Sequence, residues 1–240
     1  MHRLFAETVL LGETRVSLTG DSARHLKVIR PRKGENIELF DGKGSSRVYE
    51  WDGEELNAVS GIVRVPPEKR KIILFACITK GSRWDWTIEK ATELGVNVIV
   101  PVISERTIVR IPKSERTSKR ERYRRIAQDA ARQSDAGFVP EISEILDFDE
   151  ALEKAASCRC YTGALTEEKP QHLLTALLDA RSSAQGDVGV FIGPEGDFTS
   201  DELSRLVKET TPVSLGSNIL RAETAALFAI GIISAFRSIG

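Results

Sequence analysis

The chain has 240 residues, enough to bury a core without covalent help, and reads as one domain or two. Its 34 lysines and arginines meet 35 aspartates and glutamates for a formal net charge of −1, so no global basicity marks a nucleic-acid partner. Cys77, Cys158 and Cys160 are too few and too badly spaced for a zinc site or a disulfide framework, and the three histidines are scattered, which predicts reduced thiols and no metal.

The opening Met1-His-Arg-Leu-Phe-Ala-Glu7 carries an early acidic residue and no sustained apolar run, which argues against a signal peptide and for a cytoplasmic protein. Val16–Leu18, Asn36–Phe40, Arg47–Trp51 and Gly61–Val65 are brief, β-branched or alternating, and separated by Gly and Asp turns. They predict a small β-barrel over residues 1 to about 68. Asp21–Arg30 interrupts it as a helix that starts on a plausible cap and ends at Pro31. Pro66–Lys71 reads as a linker.

Beyond the linker, strands and helices alternate. Ile72–Ala76 is a buried-strand run, and Ser82 predicts the cap of a helix through Leu94, with Ile88, Ala91 and Leu94 on one face and Gly95 at its end. Asn97–Val102 is the next strand, and Ser118 with Glu121 predicts a capping box for a helix ending near Gly137. The run Lys113–Arg125 holds seven cations and two carboxylates, a local net of +5, suited either to phosphate contacts or to a solvated helix face. Further helices are predicted over 147–156, 170–181 and 200–210, the last boxed by Thr199 and Glu202. Ala222–Phe236 is apolar all round, as a helix buried in the core or against another subunit must be. The uncharged apolar run Thr224–Phe236 is too short for a bilayer, so no membrane partner is expected. The alternation predicts an α/β domain with a mainly parallel sheet.

Two loops in the last fifth of the chain carry the functional signal. Val188-Gly-Val-Phe-Ile-Gly-Pro-Glu-Gly-Asp-Phe-Thr199 and Val213-Ser-Leu-Gly-Ser-Asn-Ile-Leu-Arg221 each end a short apolar strand and feed a helix. Gly193, Gly196 and Gly216 let backbone groups approach a ligand closely, and Pro194 stiffens the first loop. About one βα unit separates the loops, so right-handed winding predicts that they lie side by side at the carboxyl ends of neighbouring strands, where open α/β sheets bind ligands.

Gly193-Pro-Glu-Gly196 and Ser214-Leu-Gly-Ser-Asn-Ile-Leu-Arg-Ala-Glu-Thr-Ala-Ala226 closely resemble the SPOUT class of S-adenosylmethionine-dependent RNA methyltransferases, and within it the ribosomal RNA small subunit methyltransferase E family. Lys80-Gly-Ser-Arg-Trp-Asp-Trp-Thr-Ile-Glu-Lys-Ala-Thr-Glu-Leu-Gly95, Ile103-Ser-Glu-Arg-Thr107, Gln133-Ser134, Arg3-Leu-Phe5 and His25-Leu-Lys-Val-Ile-Arg30 extend the resemblance over nearly the whole chain. It implies a PUA-like RNA-binding β-barrel over 1–68 and a SPOUT methyltransferase domain over 72–240 with a deep trefoil knot. It also implies S-adenosyl-L-methionine as cofactor, a homodimer, and methylation of N3 of a uridine in 16S rRNA of the small ribosomal subunit. Two departures stand out. Asp197 occupies a position where the family more often has glycine, and Ser217-Asn218 stands where Pro-Arg is expected, removing a cation beside the pocket.

For such a cofactor the adenine wants an apolar slot with backbone hydrogen bonds and the sulfonium wants carboxylate or carbonyl oxygen. The expected cofactor residues are Ile192, Gly193, Pro194, Glu195 and Gly196 on one side and Leu215, Gly216, Ile219 and Leu220 on the other, with Leu165 and Thr166 as a third wall. Uracil N3 carries a proton that must leave before it attacks, so Arg221 is the candidate to stabilise the anion, and Glu223 or Glu195 the candidate base. Each carboxylate has a competing role, Glu223 as a helix cap and Glu195 as a partner of the sulfonium. Expected RNA contacts are Arg3, His25 and Arg30 in the first domain and Lys80, Arg83, Arg106 and Arg110 in the second, each equally able to form a surface ion pair. Trp84, Trp86 and Trp51 read as packing residues, with Trp84 a possible base platform beside Arg83. The rival functions are a non-catalytic RNA-binding ribosome assembly factor and a methyltransferase acting on another base or on ribose. A dinucleotide dehydrogenase would need Gly-x-Gly-x-x-Gly after an early strand, and the sequence has none.

Overall fold

The computed structural model describes residues 1–163, 170–181 and 186–239. It divides into two compact units, Met1–Glu68 with Gln128–Val139, and Lys69–Ala127 with Pro140–Gly240. The segment Gln128–Val139, which the sequence boundary assigns to the second domain, groups with the first.

The first unit runs β1 (His2–Phe5), α1 (Thr8–Gly12), β2 (Arg15–Val16), α2 (Gly20–Ile29), β3 (Asn36–Phe40), β4 (Ser45–Trp51), β5 (Leu56–Ala58) and β6 (Val63–Arg64). Its sheet has the order β1-β3-β4-β5-β2, with β6 beside β4. Only the β1–β3 pair in it is parallel. Alternation at Ile37 and Leu39 turns both side chains into a core shared with Leu4, Leu11, Val16, Tyr49 and Leu56. The strands predicted over Val16–Leu18 and Gly61–Val65 shrink to two residues each. Asp52 closes the β4–β5 hairpin: its Oδ1 accepts the N–H groups of Glu54 and Glu55 at 2.9 and 2.8 Å, and Oδ2 accepts Asn57 Nδ2 at 2.8 Å. Those bonds, led by the Glu55 N–H, pull its carboxyl down to about 2.

The second unit runs β7 (Ile72–Cys77), α3 (Ser82–Glu93), β8 (Val98–Ile103), α4 (Lys113–Gln133, its last residues belonging to the first unit), β9 (Glu141–Ile142), β10 (Leu146–Asp147) and α5 (Phe148–Ala155). It continues with β11 (Arg159–Gly163), α6 (Leu173–Asp179), β12 (Val188–Ile192), α7 (Ser200–Glu209), β13 (Thr211–Val213) and α8 (Ala222–Ser238). The strand order is β10-β8-β7-β12-β11-β13 with β9 beside β8, and among the described residues every pairing is parallel. Every residue of β7 and β8 is buried, the mark of parallel strands covered on both faces. Phe75 and Phe191 stack at 5.4 Å in this core, and Phe148 and Phe198 pack on Phe191. Gly189 packs tightly here: a Cβ would stand 2.7 Å from Cys158 Sγ and 3.1 Å from the Phe75 ring, so a side chain would force its neighbours to shift.

Capping separates true helix starts from false ones. The boxes Asp147–Glu150 and Thr199–Glu202 both form. The one predicted at Ser118 does not: α4 already begins at Lys113, and Ser118 Oγ donates to the Glu115 carbonyl at 2.9 Å inside the helix. Gly95 follows α3 at φ +82°, the left-handed conformation that glycine adopts freely. The apolar helix α8 buries Ala225, Ala226, Ala229, Ile230, Ile233 and Phe236 and packs on α3, α6, β7 and β12.

Candidate active site

Parallel register sets the site. Gly163 at the end of β11 pairs with Ile192 of β12 on one side and Val213 of β13 on the other, so three strand ends share one level. The two glycine loops leave from β12 and β13. Winding alone predicts that these strands are neighbours, and they are not: β11 lies between them, and Gly163 forms part of the wall. A cavity of about 580 Å³ opens there, lined by Ile192–Glu195, Asp197, Val213–Gly216 and Asn218–Ala222, with Gly163, Pro170, Arg83 and Ala225.

The first loop is held from several sides. Gly193 is buried, and a Cβ on it would come within 3.0 Å of Asp197 Oδ1 and 3.1 Å of the Phe198 ring. The Asp197 N–H donates to the Pro194 carbonyl at 3.0 Å, and Asp197 itself sits at φ +56°, a left-handed conformation that glycine adopts more freely. Phe198 anchors the loop in the aromatic core. Arg106 Nη1 donates to the carbonyls of Gly196 and Phe198, both at 3.1 Å. The Glu195 carboxylate accepts the Lys80 N–H at 3.2 Å and lies 3.4 Å from Arg83 Nη1, tying this loop to the one after β7.

In the second loop, Ser214 Oγ accepts the Gly216 N–H at 3.2 Å and donates to the Gly216 carbonyl at 3.0 Å. Gly216 has φ +135°, and the direction its side chain would take is open space. Arg221 is the N-cap residue of α8 and lines the cavity, as does Asn218 from the departing Ser217-Asn218 pair. An apolar wall of Ile192, Val213, Leu215 and Leu220 beside exposed backbone of two glycine loops suits a nucleoside, and two guanidiniums with two carboxylates suit a charged tail. Of the expected cofactor residues, Gly196 is turned to Arg106 instead of the cavity, and Leu165 and Thr166 lie outside the described residues. Glu223 is also absent from the lining. It is buried in the first turn of α8, and its Oε2 has no hydrogen-bond partner among the described residues.

A family profile described as an RNA methyltransferase domain matches residues 66–234. Ribosomal RNA small subunit methyltransferase E of Bacillus subtilis (strain 168) is 30% identical over 227 residues, 91% of this chain and 89% of that one. The chain belongs to the ribosomal RNA small subunit methyltransferase E family. The protein of that name from Synechocystis sp. (strain ATCC 27184 / PCC 6803 / Kazusa) is also 30% identical, over 98% of this chain and 77% of its own. Among solved structures, the crystal structure of ribosomal RNA small subunit methyltransferase E from Neisseria gonorrhoeae bound to S-adenosyl methionine is 32% identical, with a TM-score of 0.82 over 98% of this chain and 97% of that one.

With the family settled, the candidate RNA residues sort by what they touch. Arg83 lines the cavity itself. Arg106 and Arg110 are occupied with backbone: Arg110 donates to the carbonyls of Ser104 at 3.2 Å and Glu105 at 2.5 Å. Much of the basic run is likewise engaged within the unit, Arg116 on Asp147 and the Ile145 carbonyl, Arg120 on the Ile142 carbonyl, Arg122 on Asp85 and Arg124 on Glu121. Trp84 is no base platform, being buried edge-on against Tyr123. In the first unit Arg3 is an interior residue. Its guanidinium lies 3.9 Å over the Phe40 ring, donates to the carbonyls of Ala131 and Ala136, and pairs with Glu38. His25 stands 4.0 Å from Asp129, and Arg30 is exposed at the left-handed end of α2. Of the lining residues not foreseen, Ser214, Asn218 and Asp197 lie within the two loop motifs, whereas Gly163 needed the strand order. Among the described residues no group of His, Cys, Asp or Glu is placed to hold a metal ion, and no helix is long and apolar enough to cross a membrane. Burial pushes the Cys77 thiol up to about 12.

Proposed function

We propose that the protein methylates N3 of a uridine in 16S rRNA of the small ribosomal subunit, using S-adenosyl-L-methionine held in the cavity between the β12 and β13 loops. The observation that carries this reading is the cavity itself, an apolar slot under two glycine-bearing loops with Arg221 on its lining. When bound, the cofactor supplies an electrophilic methyl group on a sulfonium. Ile192, Val213, Leu215 and Leu220 would hold the nucleoside, with the backbone of Gly193 and Gly216 close against it. Fixing the attacking nitrogen in line with that methyl group contributes ~7–11 kcal/mol through positioning alone. The Arg221 guanidinium stabilises the negative charge that spreads over uracil O2 and O4 as the N3 proton leaves. Between the two carboxylates considered for that proton, Glu195 lines the cavity and Glu223 does not, so Glu195 is the better placed base.

The same reading extends to the architecture. The mostly antiparallel first unit, with its own apolar core, acts as a PUA-like RNA-binding barrel to which Arg30 contributes a cation and His25 an imidazole. The C-terminal segment forms a deep trefoil knot: β13 lies at the sheet edge beyond β11, yet the helix that follows packs on β12, β7 and α3, so the chain doubles back over the strand ends. Exposed Leu174 and Leu178 on α6, beside exposed Phe228 on α8, support a homodimer formed through these helices. The protein works in the cytoplasm, where its rRNA substrate is.

The test is mass mapping of methylated nucleosides in 16S rRNA and in small subunits lacking the modification, after incubation with the protein and labelled cofactor. A single 3-methyluridine supports the proposal. Label on another base or on ribose would replace it, and cofactor binding without transfer to either substrate would favour a non-catalytic assembly factor.

A further inference from the structure

Asp197 is held in a backbone conformation that glycine would adopt at no cost. At φ +56° an aspartate is tolerated but strained, by about 1 kcal/mol or more. Its carboxylate is folded back over the first loop, where Oδ1 accepts the Phe198 N–H at 2.8 Å and lies where a Cβ on Gly193 would be crowded to 3.0 Å. Gly193 thus makes the room that the Asp197 side chain fills. Asp197 also lines the cavity. A strained acid at a ligand cavity, with a glycine opposite shaped to admit it, points to the ligand as the reason for its presence.

Resting on the reading that the cavity takes S-adenosylmethionine, we infer that the Asp197 carboxylate recognises a positive group of that cofactor and sets the protein's preference for ligands that carry one over ligands that carry none. S-adenosylmethionine carries two positive groups, the sulfonium and the α-ammonium, and one negative group, the α-carboxylate, which the guanidiniums on the lining suit instead. A carboxylate on the cavity wall favours both by charge, and the ammonium also by hydrogen bonding. The Arg83 and Arg221 guanidiniums on the same lining cannot serve this end, since like charge repels.

Calorimetric titration of the full chain with S-adenosylmethionine, S-adenosylhomocysteine and 5′-methylthioadenosine tests the inference. The last two keep the nucleoside; the first of them loses the sulfonium but keeps the ammonium and the carboxylate, and the second carries no charge. Asp197→Asn preserves shape, tolerance of the left-handed conformation and the acceptor for the Phe198 N–H, and removes the charge. It is expected to weaken S-adenosylmethionine binding by about tenfold to 100-fold and to leave methylthioadenosine unchanged. A loss confined to S-adenosylmethionine assigns the contact to the sulfonium, and an equal loss with S-adenosylhomocysteine assigns it to the ammonium; either supports the inference. Asp197→Gly should show the same binding loss while melting no lower than native, because the strain is relieved. Unchanged S-adenosylmethionine affinity in Asp197→Asn, or an equal loss for all three ligands, overturns the inference alone. Native protein that binds no S-adenosylmethionine overturns the underlying reading as well.

Discussion

Replacing Gly216 by valine probes the cavity from its most open side. The backbone there has φ +135°, which L side chains rarely adopt, so the free variant carries strain of about 1–3 kcal/mol and melts roughly 2–12 °C lower, less if the exposed loop relaxes. No protein atom lies within 4 Å of the Cβ position, so with the cofactor bound in the cavity as proposed, the branched side chain should meet the ligand's space instead of a neighbour. That second effect appears only on binding. Overpacking a filled slot costs about 1–3 kcal/mol, which is about 5- to 150-fold in cofactor affinity. Isothermal titration with S-adenosylmethionine reads the affinity, and thermal melts of the free protein read the strain separately. Gly163→Ala is the companion variant, its Cβ falling 3.1 Å from Leu215 Cδ1 and 3.2 Å from Ile192 Cδ1, so that it presses directly on two residues of the apolar wall. Native cofactor affinity in Gly216→Val, whatever its melting temperature, would remove the β13 loop from the binding site.

Arg221→Lys should lower the single-turnover rate far more than it weakens RNA or cofactor binding, because lysine keeps the charge and loses the planar fork; raising the pH should restore part of the rate as solvent ionises more of the uracil. A defect fully explained by lost binding would make Arg221 a docking residue. His25→Ala and Arg30→Ala in the first unit should each weaken RNA binding without touching cofactor affinity, and loss of a phosphate contact at Arg30 should flatten the salt dependence by about one unit of slope. These point variants are sounder than deleting residues 1–68, since Gln128–Val139 belongs to the same compact unit and would lose its partners. Asp52, whose carboxyl is held down at about 2, binds fewer protons folded than unfolded, so its contribution is present above about pH 4 and is lost as pH falls through 2. The melting-temperature gap between native protein and Asp52→Asn should therefore be widest near neutrality and close in strong acid; a pH-independent gap would show that the turn does not need the charge.

Local chemistry made much of this protein legible in one dimension. The strand runs Ile72–Cys77 and Val98–Ile103 are continuous and apolar because both their faces are covered, and the Thr199–Glu202 box and Gly95 stop mark helix ends through bonds that span only a few residues. The two glycine loops stood out for the same reason: a residue without a Cβ, or a proline beside it, reports a backbone requirement wherever it occurs. Tertiary structure decided what depends on neighbours distant in sequence. It set β11 between β12 and β13, which made Gly163 a wall of the site, and it drew Gln128–Val139 into the first unit. It also decided which charges are spoken for. Arg3, Arg106, Arg110 and Arg116 look alike in a sequence, yet each ends on a carbonyl or carboxylate brought to it by the fold: buried Arg3 must find acceptors once withdrawn from water, exposed Arg106 and Arg110 meet loop carbonyls, and where those acceptors lie is a property of the packed chain.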